Sequence, residues 1–302
     1  MGFTIATNVS SLNAMRNLTL NQTAQSKSVE RLSSGLRINR AADDAAGLSI
    51  SEGLRSQVSG LAVAQRNTQD GISVIGVAEG ALQEVHTILH RQRDLAVQAA
   101  NDSNDPASRK AIATESKALT DELARIATTT NFNGINLLDK TAEDTGMTFQ
   151  VGAGADPTTE QIKIKLVDVG AIAVTQATAQ TAGTAGTVGA DGVNTGFVAA
   201  TGGLDFSDAE KAAGSIGILD AQIATISAAR SDLGASQNRL ESTSRSLAVA
   251  KENLGAAESR IRDTDMAAEM VNYTKANILQ QAGMSMLSQA NQSGQAVLKL
   301  LG

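Results

Sequence analysis

His86 and His90 stand four residues apart, the spacing that places two imidazoles on one helix face and lets them share a zinc ion. A zinc protease also needs a glutamate next to the first histidine as general base, and position 87 is Thr. A Ser-His-Asp site would have to draw on the same two histidines, and nothing singles out its partners. Gly152-Ala153-Gly154 follows a candidate strand as a dinucleotide fingerprint does, but Pro157 occupies the third glycine position, so a hairpin loop explains these glycines better. Zero Cys removes thiolate nucleophiles, thiolate metal sites and disulfides together. The residues therefore assign no catalytic, metal or cofactor role. His86 falls between Leu82 and Leu89 in an apolar ladder, which makes it a polar seam residue of a helix.

The elements around that helix follow from composition and period. The 302 residues carry 25 Lys+Arg against 31 Asp+Glu, a formal charge of −6, and only 2% aromatics. Without rings to fill a deep interior, Ala, Leu, Ile and Val must pack thin helical layers. Basic residues are scattered rather than gathered on one face, which argues against nucleic acid as a partner. Residues 1 to 20 contain no apolar segment of a secretory signal, and no uninterrupted apolar run reaches the roughly 18 residues of a membrane span. The Gln and Asn content of the last helix also argues against a membrane-surface role.

Leu219, Ile226, Leu233, Leu240, Leu247, Leu254 and Ile261 recur every seven residues, and Leu54, Leu61, Thr68, Ile75, Leu82, Leu89 and Ala96 do the same in the first half. Val63, Val74, Val77, Ala81, Ile88 and Leu95 add a second apolar face to the earlier helix, which predicts partners on two sides. Gly76 and Gly80 share a face there and suggest a close helix approach. If residues 44 to 100 form one helix, its length is on the order of 80 Å. Asp105-Pro106 caps and starts another helix running to about Ala127. Asn133-Gly134 marks a turn. Segments 148–151 and 161–169 read as a hairpin with Ile162, Ile164 and Leu166 on one face. Residues 170 to 203 hold a single charge, Asp191, and read as a low-complexity surface insert.

The pattern changes phase at both ends. Ile5, Val9 and Leu12, then Val29, Leu32 and Leu36, form an N-terminal seam. Met266, Met270, Tyr273, Met284, Leu287, Leu298 and Leu301 form a C-terminal one behind the capping residues Asp263 to Asp265. Neither arm can bury its stripe alone. The predicted fold is mainly α: an elongated antiparallel helical bundle or coiled coil with one small β-hairpin region and paired terminal helical arms. Its parts are the arms, 1–43 and 262–302; the bundle, 44–169 and 204–261; and the insert, 170–203.

Four motifs in order resemble the bacterial flagellin family: Leu32-Ser33-Ser34-Gly35-Leu36-Arg37-Ile38-Asn39 followed by Asp43-Asp44-Ala45-Ala46-Gly47-Leu48; Arg91-Gln92-Arg93-Asp94-Leu95-Ala96-Val97-Gln98; Asn131-Phe132-Asn133-Gly134; and Ser259-Arg260-Ile261-Arg262-Asp263-Thr264-Asp265. The resemblance spans roughly residues 1 to 168 and 205 to 302. It implies a secreted, extracellular structural subunit that self-polymerises into the flagellar filament and is exported unfolded through the flagellar channel. The alternative within the class is the hook-filament junction protein. The implied partners are further copies of the chain, the export chaperone, the filament cap, hook-junction proteins and the vertebrate Toll-like receptor for flagellin; no cofactor is implied. For that receptor, and for contact between subunits, the matching positions are Arg91, Leu95 and Glu115. Antiparallel pairing about a turn near residue 103 sets Glu115 opposite Arg91.

Overall fold

The computed structural model describes residues 8–139, 146–180 and 203–301, with the side chains of 178–180 and 293–301 left aside. The chain is mainly α. Its helices among these residues are α1 (Val9–Ser34), α2 (Ala45–Ala99), α3 (Pro106–Thr129), α4 (Val169–Gln180), α5 (Ala209–Arg262) and α6 (Met266–Leu301). Two antiparallel hairpins complete it, β1 (Asn131–Phe132) with β2 (Ile135–Asn136) and β3 (Met147–Gln150) with β4 (Gln161–Ile164). Two compact units divide the chain: residues 1–59 with 251–302, and residues 60–250.

In the 60–250 unit, α2 and α5 run antiparallel. Arg93 meets Asp220 at 2.5 Å, Glu79 meets Arg230 at 3.5 Å, and Gly71 lies against Leu240. The ladder residues Leu219, Ile226, Leu233 and Leu240 are buried against Ile75, Leu82 and Leu89 of the same core. Heptad spacing keeps one stripe turned toward the partner helix, which is why one side chain in seven suffices to mark the seam. Asp105 caps α3 by accepting a hydrogen bond from the Ser108 N–H, with Pro106 at the first helical position. Asn133 and Gly134 both have positive φ, 51° and 80°, as a two-residue hairpin loop between β1 and β2 requires. Asn67 of α2 donates to the Gln150 carbonyl at 3.1 Å and fixes the β3–β4 hairpin to the helix.

Several expectations are corrected here. Strand β4 ends at Ile164 rather than near 169, because Asp168 caps α4 by accepting from the Ala171 N–H at 2.8 Å. Residues 169 to 180 are therefore a helix, not part of a surface insert; 181–202 lie outside the described residues. Val169, Ile172, Ala173 and Gln176, at helical spacing, are all buried. Gly76 and Gly80 face open space, and the close approach belongs to Gly71, where a Cβ would stand 3.2 Å from the Leu240 Cδ1 and 3.3 Å from the Phe149 ring. The second apolar face of α2 is only partly covered: Val74 and Leu95 are buried, Val63 and Val77 exposed.

The unit built from the two ends has its own logic. Helix α1 ends on Gly35 at φ 73°, whose carbonyl accepts from the Thr264 N–H at 2.9 Å, and Arg37 N–H donates to the Arg262 carbonyl at 2.6 Å. Asp265 opens α6 by accepting from the Ala267 and Ala268 N–H groups. The loop after α1 folds back upon it through Lys27–Asp43 at 2.6 Å and Arg40–Glu30 at 2.7 Å. The arms pair with each other as antiparallel helices: Asn8 donates to the Ala290 carbonyl, Leu18 lies beside Gly283, and Ser28 meets Glu269.

Candidate functional site

The seam between α1 and α6 is not the stripe that hydropathy selects. On α1 the covered positions are Ser11, Ala14, Leu18, Asn21, Gln25, Ser28 and Leu32; on α6 they are Glu269, Tyr273, Ala276, Gln280, Gly283, Leu287 and Ala290. Both sets keep a strict alternation of three and four residues, so both are heptad seams, but their members are mostly small or polar. Gly283 lies beside Leu18 in this seam, and a Cβ added to it would stand 3.4 Å from the Leu18 Cδ1, at ordinary van der Waals contact. Near the base of the pair, buried Glu269 accepts from the Ser28 hydroxyl at 2.5 Å, with Arg31 at 3.7 Å.

Many of the large apolar residues of the two arms are turned outward instead. Val9, Leu12, Met266, Met270 and Met284, read from the sequence as seam members, are between 47% and 60% exposed. Leu287 is half-buried within the seam. Ile5, and the side chains of Leu298 and Leu301, lie outside the described residues. At about 100° of rotation per residue, Val271 and Ile278 point nearly opposite the α1-facing stripe. With Met270, Thr274, Lys275 and Leu279 they line an open apolar groove along α6. The phase error has a physical origin: an amphipathic stripe shows which residues need covering, not which neighbour covers them.

In the 60–250 unit, Arg91 donates from its Nε and one terminal nitrogen to the same Glu115 oxygen, at 2.8 and 2.6 Å. Both side chains remain exposed. Leu95 does not join them on the surface; it is 1% exposed. One helical step of four residues rotates the side chain by about 40°, enough to carry it from the rim where Arg91 sits to the core-facing stripe of Gln92, Leu95, Ala96 and Ala99. Sequence reasoning missed the group behind this rim. Buried Gln92 donates to the Thr120 hydroxyl and to the Gln176 carbonyl oxygen, both at 3.0 Å, and Gln176 donates to Gln222 at 2.7 Å. The chain of amides ties α2, α3, α4 and α5 together. A polar residue in an otherwise apolar helical stripe was its signal.

His86 and His90 meet through their Nε2 atoms at 2.9 Å with the rings nearly perpendicular. Burial pushes the His86 imidazole below its ordinary pKa, and the nearby charges of His90 and Arg230 act in the same direction. Among the described residues no group of three or more metal-ligating side chains gathers. By length and composition α5 could cross a membrane, although no uninterrupted apolar run marked it. Its Leu219, Ile226, Leu233 and Leu240 instead fill the protein core.

Comparison with known proteins completes the assignment. Residues 5–143 match the bacterial flagellin N-terminal helical region, and residues 216–301 match the bacterial flagellin C-terminal helical region. A flagellin of Halalkalibacterium halodurans is 47% identical over 97% of this chain and 98% of its own length. The chain belongs to the bacterial flagellin family. It is also similar to a flagellin of Bacillus subtilis, 46% identical over 97% of this chain and 98% of the relative, and to the flagellar filament 33 kDa core protein of Treponema phagedenis, 44% identical over the same shares. The crystal structure of Bacillus cereus flagellin aligns with a TM-score of 0.46 at 30% identity, covering 60% of this chain and 88% of that one. As a flagellin the chain is a structural subunit of the bacterial flagellar filament, not an enzyme, and its partners in the filament are further copies of itself.

Proposed function

We propose that the outward apolar faces of α1 and α6 are the surfaces through which this subunit polymerises. The observation that carries the reading is the inversion in the terminal unit: small and polar residues fill its internal seam, while Val9, Leu12, Met270, Val271 and Ile278 stay exposed. A neighbouring copy presenting the same faces would remove that area from water at roughly 25 cal/mol per Å². Filament growth from seeds, followed by electron microscopy, tests this. Deletion of residues 1–40 or of 265–302 should leave a monomer with the 60–250 unit folded; filaments from either truncation would refute it.

The subunit leaves the cell through the flagellar channel as an unfolded chain and acts outside it, served by the export chaperone and the filament cap and standing on the hook-junction proteins. Supporting this is a chain without Cys, in which no disulfide has to open before the chain unfolds. The hook-filament junction protein remains the alternative, and unaided growth of long filaments by the purified chain separates the two. For the Toll-like receptor for flagellin, the Arg91–Glu115 pair is the contact surface and Leu95 supports it from the core. Reporter cells exposed to monomer should lose response with Arg91→Ala. An undiminished response to that variant would remove the pair from the epitope.

A further inference from the structure

Methionine is distributed unevenly between the two units. The chain has seven, and of the described ones Met147 alone lies in the 60–250 unit, half-buried in β3. Met15, Met266, Met270, Met284 and Met286 all lie on α1 and α6 and are 47% to 65% exposed. Within the 60–250 core the equivalent space is filled by Leu, Ile, Val and Ala. Methionine is flexible and polarizable, so it suits a face that must adapt to several neighbours. It is also the one side chain here that can be both apolar and readily oxidised, since the chain has no Cys.

We infer that these five thioethers form an oxidation-sensitive modification site that blocks polymerisation of the free subunit. The inference rests on the reading of α1 and α6 as assembly faces. A hydroperoxide is the co-reactant: its terminal oxygen is transferred to the sulfur, an S–O bond forms as the O–O bond breaks, the sulfur is oxidised to the sulfoxide, and hydrogen peroxide is reduced to water. The product carries a strong hydrogen-bond acceptor where the thioether had almost none. Set into a contact made of Val, Leu and Ile side chains, that oxygen loses its water and finds no donor. Met266, Met270 and Met284 fall within about 40° of one another around α6, so one face collects three such oxygens. The order of events protects the polymer. Thioethers exposed in a free subunit are covered once a neighbour packs on them, and the modification acts on subunits that have not yet been built in. Because methionine sulfoxide is reducible, the block is reversible.

The experiment treats purified monomer and preformed filament with hydrogen peroxide, maps each methionine by mass spectrometry, and measures seeded growth afterwards. In the monomer the five arm methionines should oxidise at least several-fold faster than Met147. Growth should fall at least tenfold and recover after treatment with both methionine sulfoxide reductases. In a variant with all five changed to Leu, whatever growth is retained should be the same before and after peroxide. Because that variant could itself assemble poorly, the reductase rescue of the native chain provides the independent measurement. Undiminished growth of fully oxidised monomer, or loss of growth that reductase leaves unrepaired, would overturn the inference. Equal oxidation of the arm methionines in monomer and filament would instead refute the assembly-face reading, and loss of growth on oxidation would still be scored separately.

Discussion

Both units are made from antiparallel helices in heptad register, yet they use the register in opposite ways. In the 60–250 unit the seam is filled by Ile75, Leu82 and Leu89 of α2 and by Leu219, Ile226, Leu233 and Leu240 of α5, all buried. Across the terminal unit the same spacing selects Ser11, Ala14, Asn21, Gln25 and Ser28 against Glu269, Ala276, Gln280 and Gly283. Large side chains in the first unit are spent on a core that stands by itself. In the second only Leu18, Leu32, Tyr273 and Leu287 enter the seam, while Val9, Leu12, Met270, Val271 and Ile278 stay outside, where water is a poor neighbour for them and another subunit a good one. The difference shows that heptad geometry fixes which positions meet, while side-chain size decides how much of the stabilisation stays inside one chain.

The largest expected effect tests the outer surface. Val271→Asp combined with Ile278→Asp should abolish filament growth completely while the circular dichroism of the monomer is retained, because both residues lie away from the α1-facing stripe. Seeded growth monitored by light scattering checks it, and normal growth would erase the distinction between the units. Next in size is the inner core. Leu240→Ala should destabilise the 60–250 unit by about 2 to 5 kcal/mol, as large-to-small changes at fully buried sites do. Leu18→Ala, half-buried in the terminal seam, should cost less than Leu240→Ala in denaturant unfolding. Smaller still is a sharpening of the α2 surface: Gly76→Ala and Gly80→Ala should each stabilise by about 1 kcal/mol, since both face open space within a helix. Gly71→Ala should gain less or lose, because its Cβ would press on Leu240 and Phe149.

The smallest effects are those of pH, and they separate the units by range. In the terminal unit Asp43 is held down at about 2, from an ordinary 3.8, chiefly by its hydrogen bond from Lys27 and then by the Arg40 N–H. A carboxylate lowered in the folded state contributes stability above its unfolded pKa and loses it as pH falls from 3.8 toward 2. Asp43→Asn should flatten the stability curve there. His86, in the other unit, is lowered from 6.5 by burial first, so the unfolded chain takes up its proton more readily. Stability from that residue is complete above 6.5 and declines as pH falls below it. His86→Gln should remove this slope in urea midpoints measured across the range, and an unchanged slope would assign it elsewhere.

Period and punctuation in the sequence determined much of the molecule. Seven-residue recurrence located α2 and α5, Asp105-Pro106 started α3, Asn133-Gly134 turned β1 into β2, and four local motifs pointed to the family. These are signals carried within a few turns of chain, where backbone chemistry acts directly. Helix α4 was legible in the spacing of Val169, Ile172, Ala173 and Gln176, but the low-complexity stretch beside it masked the period. What only the tertiary structure decided is which side of each helix has a neighbour. Leu95 and Arg91 are four residues apart, and one is in the core and the other in solvent, because α3 and α4 cover one flank of α2. Val9 and Ser11 are two apart, and the serine holds the seam. Hydropathy records that a side chain would gain from leaving water, but burial is a property of two surfaces, and a single helix sequence describes one of them.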